Sequence, residues 1–358
     1  LKERKYVIIN FLIIIQDEIE MISLDEILVK QKADTSKYKV AVCVTSYNQQ
    51  DVIEDALNGI LKQKTTFPFL IVVGDDYSTD GTRDILKRYK EQYPDTIELI
   101  LQPHNLGLFK NRKEIFKSCD APYIAFCDGD DYWTDETCLQ KKYDFLEKHV
   151  EYIGYQTACF DRQGNEITDV SDLDKLNCFF DFRKENALKN DYPGQVGGFF
   201  FRNIYKYMSN ENFEAYTEIP VDDSGKLPII SGIIAPIFRQ DKNVTFIYRV
   251  CNDSMSRQEE KRNTCKQIFV SHLLYQSMID QLNIKEKMQI DDQLIIIATN
   301  AFFTALKSSF RKSGKGNWNQ FIYIYNYGYF DKRKIRHEIL RFFLEKIRNR
   351  RPAMKSQP

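Results

Sequence analysis

Between Lys39 and about Lys148, one pattern of hydrophobic and polar positions recurs four times along the chain. Each repeat opens with a short, almost continuously apolar run and passes through a polar turn. Most repeats end in a segment with apolar residues at three- and four-residue steps. The apolar runs predict four β-strands, at Lys39–Thr45, Phe69–Gly74, Ile97–Leu101 and Tyr123–Cys127. The spaced segments predict three amphipathic helices, at Val52–Lys62, Arg83–Tyr89 and Lys110–Cys119.

The four runs start about 26 to 30 residues apart, which is the length of a βαβ unit. Because the strands are apolar throughout rather than alternating, they suit a parallel sheet with helices on both faces. The prediction is therefore an α/β fold with an open, mostly parallel sheet flanked by helices. Sheets of this kind bind ligands beyond the carboxyl ends of their strands.

The repeating pattern is lost after about residue 150. A glycine-flanked aromatic strand is predicted at Phe199–Asn203, and another strand at Val244–Val250. From about Ser256 onward the spacing predicts helices, and Lys332–Arg351 combines an apolar face with basic residues. We predict an N-terminal segment at 1–36, a main domain at 37–255 with halves at 37–150 and 151–255, and a mainly helical, basic C-terminal extension at 256–358.

Composition narrows the class of protein and its surroundings. The formal net charge of the 358 residues is zero, so no overall field favours nucleic acid as a partner. The eight cysteines are scattered without CxxC spacing, which indicates buried free thiols in a reducing compartment. The apolar run Tyr6–Ile15 is too short to span a bilayer and precedes no small-residue cleavage site. These features predict a cytoplasmic protein, with peripheral contact at the inner face of a membrane left open.

Polar residues follow three of the predicted strands, where the carboxyl ends of parallel strands share one edge of the sheet. The three segments are Thr45-Ser46-Tyr47-Asn48, Gly74-Asp75-Asp76-Tyr77-Ser78 and Cys127-Asp128-Gly129-Asp130-Asp131. Two of the three are rich in carboxylates. Their convergence predicts a ligand site at this edge.

The segment Asp128-Gly129-Asp130-Asp131 has the composition of a cation site. Three carboxylates within four residues repel one another unless a cation or hydrogen-bond donors compensate them. Mg²⁺ or Mn²⁺ prefers such oxygen ligands and shares them with a diphosphate. The alternative is a solvated acidic turn that caps the following helix.

The other two segments offer groups that suit a nucleotide. A carboxylate of Asp75 or Asp76 could accept hydrogen bonds from a uracil imide or a ribose hydroxyl, whereas Ser78, Thr79 or Asp80 suffices to cap the next helix. Thr45–Asn48 supplies hydroxyls, an amide and an aromatic ring on which a base can stack. Each segment alone could also be an ordinary turn.

Together the segments resemble the family 2 glycosyltransferases, which have the GT-A fold. The matching blocks are Val42–Asn48, Val72–Thr82, Asn105-Leu106-Gly107 and Tyr123–Asp131. The resemblance covers Lys39 to Lys148 and weakens toward Val250. It implies an inverting, metal-dependent transfer from a nucleotide-sugar, with UDP as the expected nucleotide.

The resemblance also implies roles for individual residues of the donor site. Thr45 and Tyr47 would contact the nucleotide base, with Tyr47 stacking on it and Asn48 beside them. Asp76, next to Asp75, would accept a hydrogen bond from the base.

Further implied roles concern the diphosphate and the metal. Asp128 and Asp130 would lie by the ribose and diphosphate, Asp130 or Asp131 would hold Mg²⁺ or Mn²⁺, and Arg112 would lie near the diphosphate. As an alternative, Arg112 is an ordinary arginine on a helix surface. Tyr77 stands where the family often has glycine, and its bulk could narrow the base pocket.

In the second half, the resemblance implies a catalytic base that accepts a proton from the acceptor hydroxyl. Asp223 is the first candidate, with Asp222 beside it and Glu218 in reserve; a solvated acidic loop is the alternative. Gly197–Arg202 resembles the segment that lines the acceptor side, where its glycines would allow a sugar to approach. Tyr248-Arg249-Val250 matches a segment often followed by histidine, but Cys251 follows here.

The expected partners are a nucleotide-sugar donor and a glycan or lipid-linked acceptor in polysaccharide assembly, without nucleic acid. The basic C-terminal helices could contact a membrane, the main domain or a second subunit as a homodimer. Two other classes stay open, a non-catalytic nucleotide-sugar binder and a sugar-phosphate nucleotidyltransferase. The latter would need a glycine-rich, basic phosphate loop after the first strand, and Thr45–Val52 contains neither glycine nor a basic residue.

Overall fold

The computed structural model describes residues 22–163, 166–169, 179–183, 195–217, 227, 231–232, 234–240, 245–249 and, near the carboxyl terminus, 333, 335–337 and 339–341. The chain divides into two compact units, Asp17–Ser254 and a second formed by Leu1–Gln16 with Met255–Pro358. In the second unit the described positions are helical, with Ile335 buried and Leu340 exposed. The remainder of the predicted C-terminal extension and the run Tyr6–Ile15 lie outside the described residues.

Helices and strands alternate through the first half of the main unit. They are α1 Leu24–Lys32, β1 Val40–Ser46, α2 Ile53–Leu61, β2 Phe69–Asp75, α3 Thr82–Gln92, β3 Ile97–Leu101, α4 Leu108–Ser118, β4 Tyr123–Phe126, β5 Tyr132–Trp133 and α5 Cys138–Lys148. Each of the four predicted strands is confirmed to within one residue at either end. The three predicted helices are confirmed as α2, α3 and α4.

The second half is built from short strands. They are β6 Gly154–Thr157, β7 Cys159–Gln163, β8 Glu166–Asp169, β9 Phe179–Phe182, β10 Phe199–Arg202, β11 Ile237–Gln240 and β12 Phe246–Arg249. A 3₁₀ turn at Val196–Gly198 leads into β10, and helices α6 Ile204–Tyr207 and α7 Asn210–Thr217 follow it. The predicted strands near 199 and 246 correspond to β10 and β12.

Eight strands form the main sheet, in the order β3-β2-β1-β4-β10-β6-β11-β9. The first four are parallel to one another, whereas β10 and β9 run against their neighbours. All seven residues of β1 are buried, because α2 and α4 contribute Ile53, Leu57 and Ile115 to the interior. This burial on both faces explains the continuous apolar runs.

A second sheet has the order β5-β12-β7-β8. In it, β12 pairs antiparallel with β5. Strand β5 directly follows Asp128–Asp131, which we call the acidic segment. The second half of the unit is thereby joined to the edge at which β4 ends.

Helix α1 lies within the predicted N-terminal segment and contacts the main sheet. The side chain of Gln31 donates to the carbonyl of Pro122 at 2.7 Å and accepts from the buried guanidinium of Arg202 at 2.7 Å. The described cysteines are buried, as predicted: Cys43, Cys119, Cys127, Cys138 and Cys159. The other three lie outside the described residues. No helix in the described part of the chain is long and apolar enough to cross a membrane.

Candidate functional site

The strand order 3-2-1-4 places a topological switch point between β1 and β4, because the chain leaves β1 toward β2 on one side and later pairs β4 on the other. Open α/β sheets bind ligands in the crevice at such a point. The side chain of Thr45 at the end of β1 donates to Asp128 Oδ1 beyond β4, with an oxygen–oxygen distance of 2.5 Å. The backbone N–H of Gly129 donates to the Thr45 carbonyl at 2.9 Å. The first and third predicted segments therefore meet.

Gly129 is required by this close approach. A Cβ atom at this position would lie 2.8 Å from the Thr45 carbonyl oxygen and 2.8 Å from Ile53 Cδ1. The acidic segment can therefore lie directly on the end of β1 only because residue 129 has no side chain.

Arg112 connects α4 to the acidic segment. The guanidinium is almost completely buried, and its Nη2 donates to Asp128 Oδ1 at 2.8 Å. The alternative of an ordinary surface arginine is therefore wrong. One oxygen of Asp128 thus accepts from both Thr45 and Arg112, which fixes the orientation of this carboxylate.

The ionised forms of Asp130 and Asp131 are compensated only incompletely by the described protein groups. Burial and the nearby charge of Asp128 raise the pKa of Asp130 to about 6. Burial and repulsion by Asp130 and Asp128 likewise raise the pKa of Asp131 above the usual range of a carboxylic acid. A divalent cation would stabilise both ionised forms.

Arg249, at the end of β12, holds the acidic segment from the other side. Its backbone N–H donates to Asp131 Oδ1 at 3.0 Å, and its Nη1 donates to the carbonyl of Asp130 at 3.0 Å. The guanidinium also lies over the ring of Tyr132, 4.7 Å from the ring centre, and forms an ion pair with Asp55 on α2. Sequence reasoning noted the segment around Arg249 but missed this role, because 118 residues separate the partners Asp131 and Arg249.

Asp75 is held inside the protein. The side chain is fully buried, and its Oδ1 accepts from the backbone N–H of Ser78 at 3.0 Å and from Nε of Arg83 at 2.5 Å. Oδ2 accepts from the hydroxyl of Ser78. These contacts account for the carboxylate by stabilising the turn after β2, so the geometry favours a structural role for Asp75.

Asp76 joins the loops that follow β2 and β3. Its two oxygens accept from the backbone N–H groups of Leu106 at 2.6 Å and Gly107 at 2.9 Å. This explains why the block Asn105-Leu106-Gly107 accompanies the acidic pair in the sequence. The proposed contact of Asp76 with a base stays a prediction.

Two aromatic rings flank this edge of the sheet. The side chains of Tyr47 and Tyr77 are 49% and 43% exposed, in a described region where few large hydrophobic side chains are exposed. Asn48 connects their two loops, because its N–H donates to Ser78 Oγ at 2.8 Å and its Oδ1 accepts from the N–H of Thr79 at 2.8 Å. The structure therefore brings the first two predicted segments together as well.

Helix α3 begins at Thr82, with Gly81 at its N-cap position. Among the predicted capping residues, Asp80 accepts from the N–H of Thr82 at 3.0 Å. The acidic segment caps no helix: α5 begins at Cys138, and the carboxylate that precedes it, Asp135, accepts from the N–H of Thr137 at 2.9 Å. A capping turn therefore does not explain Asp128–Asp131.

Asp222, Asp223 and Glu218, the candidates for a catalytic base, lie outside the described residues. Internal packing accounts for the glycines at 197 and 198. A Cβ atom on Gly197 would lie 2.6 Å from the Phe246 ring, and one on Gly198 would lie 2.6 Å from Gln156 Nε2. The carbonyls of Gly197 and Gly198 accept from Trp133 Nε1 at 3.1 Å and Lys142 Nζ at 2.9 Å, respectively.

The donor atoms at the acidic segment fit a divalent ion that the protein holds together with a ligand. Among the described residues, no three carboxylate, histidine or cysteine side chains are arranged as a complete metal site. Mg²⁺ is commonly bound through only one or two carboxylates, with substrate phosphates completing the coordination. Asp130 and Asp131 suit that type of site.

Comparison with known proteins agrees with this architecture. Residues 41–208 match the family model "Glycosyl transferase family 2". An uncharacterized protein of Mycobacterium tuberculosis strain H37Rv is 38% identical over 121 residues, which are 34% of each chain. TuaG of Bacillus subtilis strain 168, named as a glycosyltransferase of teichuronic acid biosynthesis, is 34% identical over 158 residues, 43% of this chain and 59% of TuaG.

One solved structure shows the shared fold. The crystal structure of Staphylococcus aureus TarS superimposes with a TM-score of 0.54 at 18% identity and covers 80% of this chain and 49% of TarS. The predicted GT-A type of fold is confirmed at the level of the sheet and its flanking helices. The matched sequence regions span about a third of the Mycobacterium tuberculosis protein and about three fifths of TuaG.

Proposed function

We propose that the chain, whose residues 41–208 match the glycosyl transferase family 2 model, transfers a sugar from a nucleotide-sugar donor to a hydroxyl group of a glycan or lipid-linked acceptor. TuaG is named for teichuronic acid biosynthesis, and TarS is named a poly(ribitol-phosphate) β-N-acetylglucosaminyltransferase. By analogy, an acceptor in polysaccharide assembly is part of the proposal, and UDP is the proposed nucleotide.

One observation carries this proposal. Incompletely compensated carboxylates, Asp130 and Asp131, lie at the switch point beside a carboxylate that Thr45 and Arg112 hold in place. Neighbouring carboxylates shielded from water are costly to ionise unless a cation or hydrogen-bond donors compensate them. A cation that binds with a diphosphate would remove that cost.

The residues have separate proposed tasks. Tyr47 stacks on the base, and Asp128 lies by the ribose and diphosphate. Asp130 and Asp131 hold Mg²⁺ or Mn²⁺, which when bound would stabilise the negative charge of the departing diphosphate. The positive charge of Arg112 lowers the cost of bringing the diphosphate next to Asp128.

The proposed chemistry is a single displacement with inversion. The acceptor oxygen bonds to the anomeric carbon as the bond from that carbon to the diphosphate oxygen breaks. Asp223, with Asp222 beside it, accepts the proton of the acceptor hydroxyl. The assignment of Asp223 and Asp222 is supported by the family resemblance of the sequence, since both residues lie outside the described structure.

Calorimetric titration with UDP, with and without Mn²⁺, tests the donor site. We expect binding that depends on Mn²⁺ in the wild-type protein and is weakened by about 100-fold in Asp131→Asn, with the fold unchanged by circular dichroism. Absence of binding to UDP and to every other nucleoside diphosphate would contradict the proposal.

Turnover separates the enzyme from the other two classes. Release of UDP from UDP-sugars, by transfer or hydrolysis, supports a transferase, whereas binding without release identifies a non-catalytic binder. Consumption of a nucleoside triphosphate with a sugar phosphate identifies a nucleotidyltransferase. Asp223→Asn should keep donor affinity and stop transfer; normal transfer by this variant would remove Asp223 as the base.

A further inference from the structure

Tyr77 has a backbone conformation that tyrosine rarely adopts. Its φ angle is 66°, in the left-handed region that residues other than glycine, asparagine and aspartate rarely adopt. The neighbouring turn does not require a large side chain, because Asp75 and Asp76 make its hydrogen bonds. A bulky residue that persists on a strained backbone points to a functional use of its side chain.

The ring of Tyr77 packs on the guanidinium of Arg83. The guanidinium of Arg83 lies 5.0 Å from the ring centre, and that guanidinium is itself fixed by Asp75 at 2.5 Å and by the carbonyl of Gln102. The ring is nevertheless 43% exposed. Tyr77 is therefore a positioned aromatic surface at the edge where the ligand is proposed to bind.

Tyr47 is the neighbouring ring on this edge. Strands β1 and β2 pair in register up to Ser46 and Asp75, and the N–H of Asp76 donates to the Ser46 carbonyl at 2.9 Å. Continuing this register past the last strand pair brings Tyr47 level with Asp76, and Tyr77 follows one residue later. Tyr47 and Tyr77 therefore belong to neighbouring loops at the ends of the two paired strands. Their loops are held together through Asn48.

We propose that Tyr77 borders the nucleobase subsite beside Tyr47 and restricts it to pyrimidine nucleotides. The inference rests on the proposed function, since it assigns a residue to the base subsite of that donor site. Purines and pyrimidines are equally thick and differ in their extent in the plane of the base. A tyrosine at the edge of the subsite leaves less room in that plane than glycine or asparagine, so the larger purine is excluded while a pyrimidine keeps its aromatic contact with Tyr47.

Competitive titration of UDP and GDP with Mn²⁺ tests this assignment in the wild-type protein, Tyr77→Gly, Tyr77→Asn and Tyr77→Phe. We expect the wild-type protein to prefer UDP over GDP by about tenfold or more, the size of one aromatic contact. The glycine and asparagine variants should lose that preference, mainly through tighter GDP binding. The phenylalanine variant keeps the ring and should keep the preference.

Glycine and asparagine tolerate a positive φ, so loss of folding is not expected in these variants and thermal unfolding serves as the control. An unchanged ratio of UDP to GDP affinity in Tyr77→Gly and Tyr77→Asn would overturn the inference while leaving the proposed function intact. Equal binding of both nucleotides by the wild-type protein would overturn it too. Failure of the proposed function is seen separately, as absence of binding to either nucleotide.

Discussion

Two acidic segments at the same edge of the sheet look alike in sequence and differ in their surroundings. The carboxylates of Asp75 and Asp76 accept hydrogen bonds from Arg83, Ser78 and backbone N–H groups. The pKa values of Asp130 and Asp131 are raised because Asp130 is partly buried and Asp131 fully buried, each beside other carboxylates. The first segment is compensated by groups of the protein itself, whereas the proposed cation would compensate the second. Compensation of charge, rather than the presence of carboxylates, thus separates the structural segment from the proposed ligand-binding one.

The largest expected difference between the segments is in stability. Asp75→Asn leaves the Arg83 guanidinium without its anion, so we expect the free energy of unfolding to fall by about 3 kcal/mol. The same substitution at Asp130 removes repulsion and should leave the stability of the metal-free protein unchanged or higher. Urea denaturation with EDTA measures both. Similar losses in the two variants would show that the segments are not physically different.

Donor binding should show the reverse order. Asp130→Asn and Asp131→Asn are each expected to weaken Mn²⁺-dependent UDP binding by about 100-fold. Residues that only support a metal ligand contribute up to about 100-fold to metal affinity, and a direct ligand should reach that value. Asp75→Asn, assayed well below its unfolding temperature, should change UDP affinity by less than about threefold. Calorimetric titration at saturating Mn²⁺ gives all three affinities. Loss of affinity in Asp75→Asn alone would reverse the assignment of roles.

The pH dependence of stability sharpens the same comparison. The pKa of Asp130 is raised to about 6 in the folded protein, above the value of about 3.9 for an unfolded aspartate. Between these values the folded state binds more protons, so its stability falls as pH rises from about 4 to 6. We expect the unfolding free energy of the wild-type protein, minus that of Asp130→Asn, to decrease by on the order of 2 kcal/mol across this window without metal. A constant difference would contradict the raised pKa.

The smallest expected effect concerns the support of the acidic segment by Arg249. Arg249→Met removes the hydrogen bond to the Asp130 carbonyl but keeps the backbone bond to Asp131. We expect UDP affinity with Mn²⁺ to fall by about fivefold, corresponding to about 1 kcal/mol. The control Asp55→Asn breaks only the ion pair with an exposed carboxylate and should change affinity by less than about twofold. Equal effects would assign the role to the ion pair.

Sequence patterns were sufficient for β1 to β4 and α2 to α4 in the first half of the fold, but they did not predict the bounds of α1, β5 or α5. The apolar runs predicted β1 to β4 because a strand buried on both faces must be apolar throughout. Beyond residue 150 the strands are short and several pair with distant partners, such as β11 with β6 and β12 with β5. Local periodicity contains no information about such pairing, which explains why that half was predicted only at β10 and β12.

The candidate site was predicted in its composition and less well in its contacts. Thr45, Arg112 and Asp128, which the resemblance assigned separately to the donor site, are connected to one another in the structure. Arg249 and Arg83 were missed because each acts on a carboxylate from another element, and only packing reveals which carboxylates already have a partner. The family resemblance alone could not assign Asp75 to the protein interior.

By itself, the sequence determined where the parallel strands lie and that three polar segments follow them, because hydrophobic burial and turn chemistry act locally along the chain. Only the tertiary structure decided that β4 pairs with β1 rather than β3, which brings Asp128 against Thr45. It also decided which acidic side chains are compensated. Both outcomes depend on the positions of residues far apart in the chain, and a carboxylate's energy is set by the charges and donors that surround it in space.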